Sequence, residues 1–307
     1  MADAGAAAAA AATESWRSTF VTAPDGLKLY VRSYGSPIAR GLPVVCLPGL
    51  ARTSVDFHEL ATALSGDPAH PRRVIALDYR GRGRSEYDRS WENYSLTVEL
   101  ADVSAVLTAL GIAPAVFIGT SRGGLLTMLL AVLRPTAIAG AVLNDIGPVI
   151  EPQGLMRIRG YVGKLPQPRD YKEGADVLRR LFAGQFPDLD ADDWHAYARR
   201  TWKDENGKLV VDYDVKLAKT LEATDLERPL PSMWDQFNAL GRVPLMVIRG
   251  AKSDLLSAAT VSAMLDRRPD MAVIEVPNQG HAPLLGDPEL LRRIANFIAS
   301  CEISAHH

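Results

Sequence analysis

Cysteine is scarce in this chain: Cys46 and Cys301 are the only two among 307 residues. Two thiols so far apart make no disulfide framework, which points to a reducing compartment and an expected cytoplasmic location. Cys46 lies inside the apolar run Val44-Val45-Cys46-Leu47, where a thiol fills core volume rather than acting as a nucleophile. No apolar run approaches the length that spans a bilayer, so no membrane partner is expected. Lys and Arg total 34 against 36 Asp and Glu, with no basic block, which argues against nucleic acid as a partner. Paired Cys/His clusters and a His-Glu-x-x-His helix are missing, so no metal is implied. The first basic residue is Arg17, so the charged start of a secretory signal is lacking. Residues 1–14 are alanine-rich without an apolar stripe, and are expected to form a disordered tail.

What remains is an ordinary globular composition, 47% apolar and 23% charged, in a chain long enough for one large core with an inserted subdomain. Trp16 to Val21 and Leu27 to Tyr34 alternate around the turn Ala23-Pro24-Asp25-Gly26, as in a hairpin. Short, continuously apolar strands then alternate with helical segments: Val44 to Leu47, Val74 to Leu77, Val116 to Ile118, Ile138 to Leu143, Leu245 to Ile248 and Met271 to Val276. Such strands belong to a mostly parallel sheet with helices on both faces. Ser95 to Leu110 reads as an amphipathic helix, and Asp287-Pro288 opens the last one. Between residues 148 and 240 the alternation stops. Prolines and short amphipathic helices near Asp176 to Phe182 and from Asp190 mark a helical cap inserted between core segments 15–147 and 241–307. Among its aromatics, Tyr161, Phe182, Phe186, Trp194, Tyr197, Trp202 and Trp234, two or three are expected to face a pocket.

The chemistry concentrates at Gly119-Thr120-Ser121-Arg122-Gly123-Gly124, between the strand Val116 to Ile118 and an apolar helix. Gly-x-Ser-x-Gly in a strand–turn–helix context is a nucleophile elbow. The turn is so tight that the positions two before and two after the serine must be tiny. A serine hydroxyl needs a base, and the base an orienting acid. Of six histidines, His306 and His307 end the chain and His70 sits in a loop. His195 belongs to a cap helix, and His58 to a helix after Leu47-Pro48-Gly49-Leu50. His281 remains, just after the last strand and on the edge of the sheet that carries Ser121. The acid lies between them in chain order. Asp254 is favoured because the strand it follows neighbours the histidine strand; Asp145, at the end of the preceding strand, is the competitor. Backbone donors for an oxyanion are expected from the amides of Arg122 and Leu50. The segment Asp78-Tyr79-Arg80-Gly81-Arg82-Gly83-Arg84-Ser85 lacks the lysine of a P-loop and the glycine spacing of a dinucleotide site, and reads as a structural loop.

Taken together, Leu47-Pro48-Gly49-Leu50, Asp78 to Ser85, Gly119 to Gly124, Ser253-Asp254 and Gly280-His281 resemble the α/β-hydrolase fold superfamily over about Trp16 to Ser300. The nearest likeness is to its capped bacterial members: carboxylesterases, enol-lactonases and carbon–carbon bond hydrolases. The resemblance implies Ser121 as nucleophile, His281 as base, Asp254 as acid, and Leu50 with Arg122 as oxyanion amides. Pro48-Gly49 stands where many members have His-Gly. The expectation is a cofactor-free serine hydrolase acting on a small-molecule carboxylic ester. A lactonase or carbon–carbon hydrolase with the same triad, and a non-catalytic ligand receptor on the same fold, are the alternatives. Oligomeric state is not encoded in any of these features.

Overall fold

The structure, a computed structural model, describes residues 15–226 and 230–304. The expected tail 1–14, and His306 and His307, lie outside the described residues. In chain order the first half forms β1 (Trp16–Thr22), β2 (Lys28–Tyr34), β3 (Val44–Leu47), α1 (His58–Gly66), β4 (Val74–Leu77), α2 (Leu96–Ala109), β5 (Ala115–Thr120), α3 (Arg122–Leu133) and β6 (Ile138–Asn144). An excursion follows through α4 (Pro152–Tyr161), α5 (Tyr171–Phe182), α6 (Ala191–Thr201), β7 (Trp202–Glu205), β8 (Lys208–Val211), α7 (Leu217–Glu222) and α8 (Trp234–Ala239). The chain then returns as β9 (Leu245–Gly250), α9 (Ala258–Arg267), β10 (Ala272–Val276) and α10 (Pro288–Ser304).

Eight strands make one sheet in the order β1-β2-β4-β3-β5-β6-β9-β10. The β1–β2 and β2–β4 pairs are antiparallel, and the rest are parallel. The unbroken apolar strands follow from burial on both faces, because successive side chains point to opposite sides. Val45 and Leu47 of β3 and Phe117 of β5 join a core with α2, α3 and α9, through Val103, Leu126 and Met264. Their neighbours Val44, Cys46 and Ile118 join the opposite core with α1 and α10, through Leu60 and Ile294. Local chemistry starts the helices where the sequence indicates. Ser95 caps α2 by accepting from Val98 N, and Asp190 caps α6 in a reciprocal capping box.

The excursion carries a small core of its own, built on Val177, Leu178, Phe182, Phe186, Trp194 and Trp202. It also holds an antiparallel hairpin, β7–β8, that the helical expectation for this segment lacked. Asn206 and Gly207 turn it with φ of 56° and 79°, the left-handed pair that suits a two-residue hairpin loop. The excursion seats on the sheet through backbone bonds from Gly83 N to Asp212 O (2.9 Å) and from Asp214 N to Gly81 O (2.7 Å).

Candidate active site

Parallel strands deliver their carboxyl ends to one edge of the sheet, and the site is built there. Ser121 follows β5 with φ 51° and ψ −114°, a left-handed conformation that a non-glycine residue adopts only under local constraint. The glycines explain how it is tolerated. A Cβ on Gly119 would run into the backbone of Gly123 and Gly124, and one on Gly123 into the Leu47 carbonyl. Gly124 meets Ile146 just beyond β6, so α3 packs close to that strand's exit. Ser121 N donates to Asn144 O (3.0 Å), which pins the elbow to β6.

Ser121 Oγ lies 2.8 Å from His281 Nε2, and His281 Nδ1 lies 2.8 Å from Asp145 Oδ2. An ionised carboxylate only accepts, so the proton between them sits on Nδ1, and Nε2 is left to accept from the serine hydroxyl. Asp145 is fully buried. Its Oδ1 accepts from Gly250 N (2.8 Å) and its Oδ2 also accepts from Ser253 Oγ (2.6 Å). The main chain of His281 is held as well: its backbone N donates to Gln185 Oε1 of the excursion (3.0 Å). Asn144 Nδ2 donates to Pro283 O (3.1 Å), tying the histidine loop to β6.

Asp254, the favoured acid, is not the partner of the imidazole. It stands four residues beyond the end of β9, where Arg157 of α4 clamps it through Nε (2.6 Å) and Nη2 (2.8 Å). Burial alone would raise its carboxyl, but Arg157 outweighs that and holds it below the ordinary aspartate value. Two features place Asp145 instead. β6 adjoins the nucleophile strand β5, so a residue at its tip is one strand from Ser121. The histidine loop also folds back over β9, crossing at Gly250, where a Cβ would collide with the Gln279 and Gly280 carbonyls.

Of the two amides expected for an oxyanion, that of Arg122 directly follows the serine, and Leu50 lines the same cavity as Ser121. Arg122 opens α3, so its N–H has no acceptor inside the helix. The Gly49 carbonyl accepts from Arg52 N (3.3 Å), and the Leu50 N–H of the same trans peptide points the opposite way. Pro48 O accepts from Tyr79 Oη (3.1 Å) and Leu50 O from Arg82 Nε (2.8 Å). The carbonyls of Pro48, Gly49 and Leu50 are therefore all occupied.

A cavity of about 110 Å³ opens over Ser121 and His281. Tyr161, Phe182 and Tyr197 line it, three of the seven aromatics singled out in the excursion, and Tyr213 joins them. Two cations reach it. Arg52 is spent on Asp56 through a bidentate pair at 2.7 and 2.6 Å. Among the described residues, Arg200 makes one loose charged contact, 3.7 Å from the exposed Glu59. Among the described residues, no group of three His, Cys, Asp or Glu side chains could hold a metal ion, and no helix is long and apolar enough to cross a membrane.

The pattern of the alpha/beta hydrolase family matches residues 44–294. The chain belongs to that family. A crystal structure of an alpha/beta hydrolase from Novosphingobium aromaticivorans superposes with a TM-score of 0.87 at 41% identity, covering 94% of this chain and 99% of that one. The 3-hydroxybutyrate-oligomer hydrolase of Cupriavidus necator is 33% identical across 86% of this chain and 91% of its own length. The 2-(acetamidomethylene)succinate hydrolase of Mesorhizobium japonicum is 28% identical across 89% and 92%. This alpha/beta hydrolase is thus similar over nearly its whole length to bacterial hydrolases.

Proposed function

We propose that the protein is a serine hydrolase of carboxylic esters that works through an acyl-enzyme, with Ser121 as nucleophile, His281 as base and Asp145 as the orienting acid. The unbroken relay from Ser121 Oγ through His281 to the buried Asp145 carries this reading. His281 Nε2 takes the hydroxyl proton as Oγ attacks the ester carbonyl, and Asp145 holds the imidazole in the tautomer that can do so. The tetrahedral oxyanion is met by the Leu50 and Arg122 amides. His281 returns the proton to the departing alcohol, then activates the water that releases the acid. No cofactor enters these steps. A receptor would not require a complete relay, and that is why we prefer an enzyme.

The pocket favours a short acid. Its volume is below that of an apolar cavity of about 150 Å³ that accepts benzene, so the acyl part is about the size of a four-carbon unit. Arg200, weakly paired at the cavity, suits a substrate that ends in a free carboxylate. Both features agree with linear oligoesters of short hydroxy acids, the class named for the Cupriavidus necator relative. The test is a panel of chromogenic esters, lactones, ring-fission diketones and 3-hydroxybutyrate dimers, the dimers as free acid and as methyl ester. Wild type is expected to turn over esters and to prefer the free-acid dimer, with that preference lost in Arg200→Gln. Ser121→Ala is expected to lose on the order of 10⁴-fold or more in kcat while remaining folded. Turnover confined to lactones or diketones would move the reading to those chemistries, and full activity in Ser121→Ala would end it.

A further inference from the structure

Beneath the site lies a buried group of charges that the acyl-transfer chemistry does not use. Glu99 of α2 is fully buried and faces two arginines. Its Oε2 accepts from Arg122 Nε at 2.5 Å, and its Oε1 is 2.7 Å from Arg82 Nη1. Arg82, itself fully buried, comes from the Asp78–Ser85 loop and donates through Nε to Leu50 O (2.8 Å) and through Nη1 to Arg80 O (2.6 Å). Arg122 also donates through Nη2 to Tyr94 O (2.9 Å). Burial opposes ionisation of Glu99, but the two guanidiniums outweigh it and hold the carboxyl below its ordinary value.

Burying three charges is costly, and an apolar cluster of the same volume would generally stabilise a fold as well or better. What an apolar cluster would not do is tie two particular backbone segments together. The residues at the two ends of this network, Leu50 and Arg122, carry the two candidate oxyanion amides. Those amides sit on separate segments, the turn after β3 and the first residue of α3, and the β3–β5 pairing ends at Leu47 and Gly119, three residues short of each. An oxyanion hole works only if its donors are in place before charge develops, within a few tenths of an ångström.

We infer that Glu99 is a positioning residue for transition-state stabilisation: through Arg82 and Arg122 it sets the spacing of the Leu50 and Arg122 amides. Glu99 need not touch substrate for this, so the consequence falls on kcat rather than on ground-state binding.

This inference rests on the Ser121 acyl-transfer reading. Its test compares wild type, Ser121→Ala, Glu99→Gln, Arg122→Gln and, as a matched control, Asp102→Asn. Asp102 is an equally buried carboxylate, paired with Arg80 at 2.6 Å through both oxygens, and it contacts neither Leu50 nor Arg122. For each variant kcat, KM, the inhibition constant of a trifluoromethyl ketone and the melting temperature are measured. Glu99→Gln is expected to lose about 30- to 300-fold in kcat, to keep KM within about threefold, and to weaken the ketone in step with kcat. Asp102→Asn is expected to lower the melting temperature and keep kcat within about threefold. Should Glu99→Gln fail to fold, Arg122→Gln decides, because it retains the backbone amide while removing the guanidinium that ties α3 to Glu99 and to Tyr94 O; a loss of about tenfold or more in kcat at steady KM is expected. Wild-type kcat and ketone affinity in the folded variants, or equal losses in Asp102→Asn, would overturn the positioning role while an inactive Ser121→Ala left the hydrolase reading standing. An active Ser121→Ala would remove both.

Discussion

Replacing Asp145 by Asn leaves the shape of the site intact but removes the charge that selects the imidazole tautomer. A fall in kcat of about 10³–10⁴-fold is expected. Asp254→Asn breaks the clamp of Arg157 instead, so kcat should stay within about tenfold of wild type while the fold loses about 1–2 kcal/mol. Steady-state kinetics and urea unfolding on the two variants separate these roles, and the opposite pattern would restore Asp254 to the imidazole. Both residues follow parallel strands on the same edge, so position along the chain alone does not choose between them. The choice depends on how the histidine loop folds back over Gly250, a long-range packing event. One local clue was present: Asp145 comes directly off β6, whereas Asp254 stands four residues past β9. Ser121 and His281 were easier to place, because the elbow glycines leave little freedom around one and elimination isolates the other. Glu99 was not legible at all, since a single acid in an amphipathic helix gives no sign of two arginines arriving from other segments.

The loops at the strand ends are joined by a second buried carboxylate, and its titration gives an element-scale prediction. Asp78, at the end of β4, accepts from Ser54 N (2.6 Å) and Arg84 N (3.0 Å), linking the turn after β3 to the arginine-rich loop. Burial raises its carboxyl to about 6, in spite of the lowering effect of those two amides. Because the folded value lies above the unfolded one, folding is favoured by protonation. The contribution is complete below about pH 4 and is lost as pH rises through about 6. Asp78→Asn cannot titrate, so the stability of wild type relative to the variant should fall by about 2–3 kcal/mol between about pH 4 and pH 7. Urea unfolding at both ends of that window measures it, and a pH-independent difference would contradict it. The elements themselves were largely readable: alternation around a turn located β1 and β2, and continuous apolar runs bounded by turn residues located the other six strands of the sheet, all to within a residue or two. The hairpin β7–β8 was missed although Asn206-Gly207 is a strong turn signal, because β7 has only four residues, three of them Lys203, Asp204 and Glu205, and shows no apolar pattern to pair with Leu209 to Val211.

At the scale of the molecule, the sheet domain supplies the reacting groups, and the pocket wall is shared between its strand-end loops and the excursion between β6 and β9. The two are coupled through His281 N to Gln185, Asp254 to Arg157, and Gly83 to Asp212. Such a division makes the chemistry of the alpha/beta hydrolase legible in short motifs while substrate choice depends on side chains gathered from many segments. Tyr161, Phe182 and Tyr197 illustrate the difference, since the sequence marks seven aromatics in the excursion and does not indicate which of them face the cavity. In an acyl-enzyme mechanism, substrate acyl groups pass through Ser121. Acid quenching within the first turnover of a 3-hydroxybutyrate ester, followed by peptide mass spectrometry, tests this directly. The account predicts a stoichiometric burst of alcohol with the acyl mass on the peptide bearing Ser121, and loss of both burst and adduct in Ser121→Ala. Steady turnover with no burst and an unmodified Ser121, or an adduct on another residue, would contradict it.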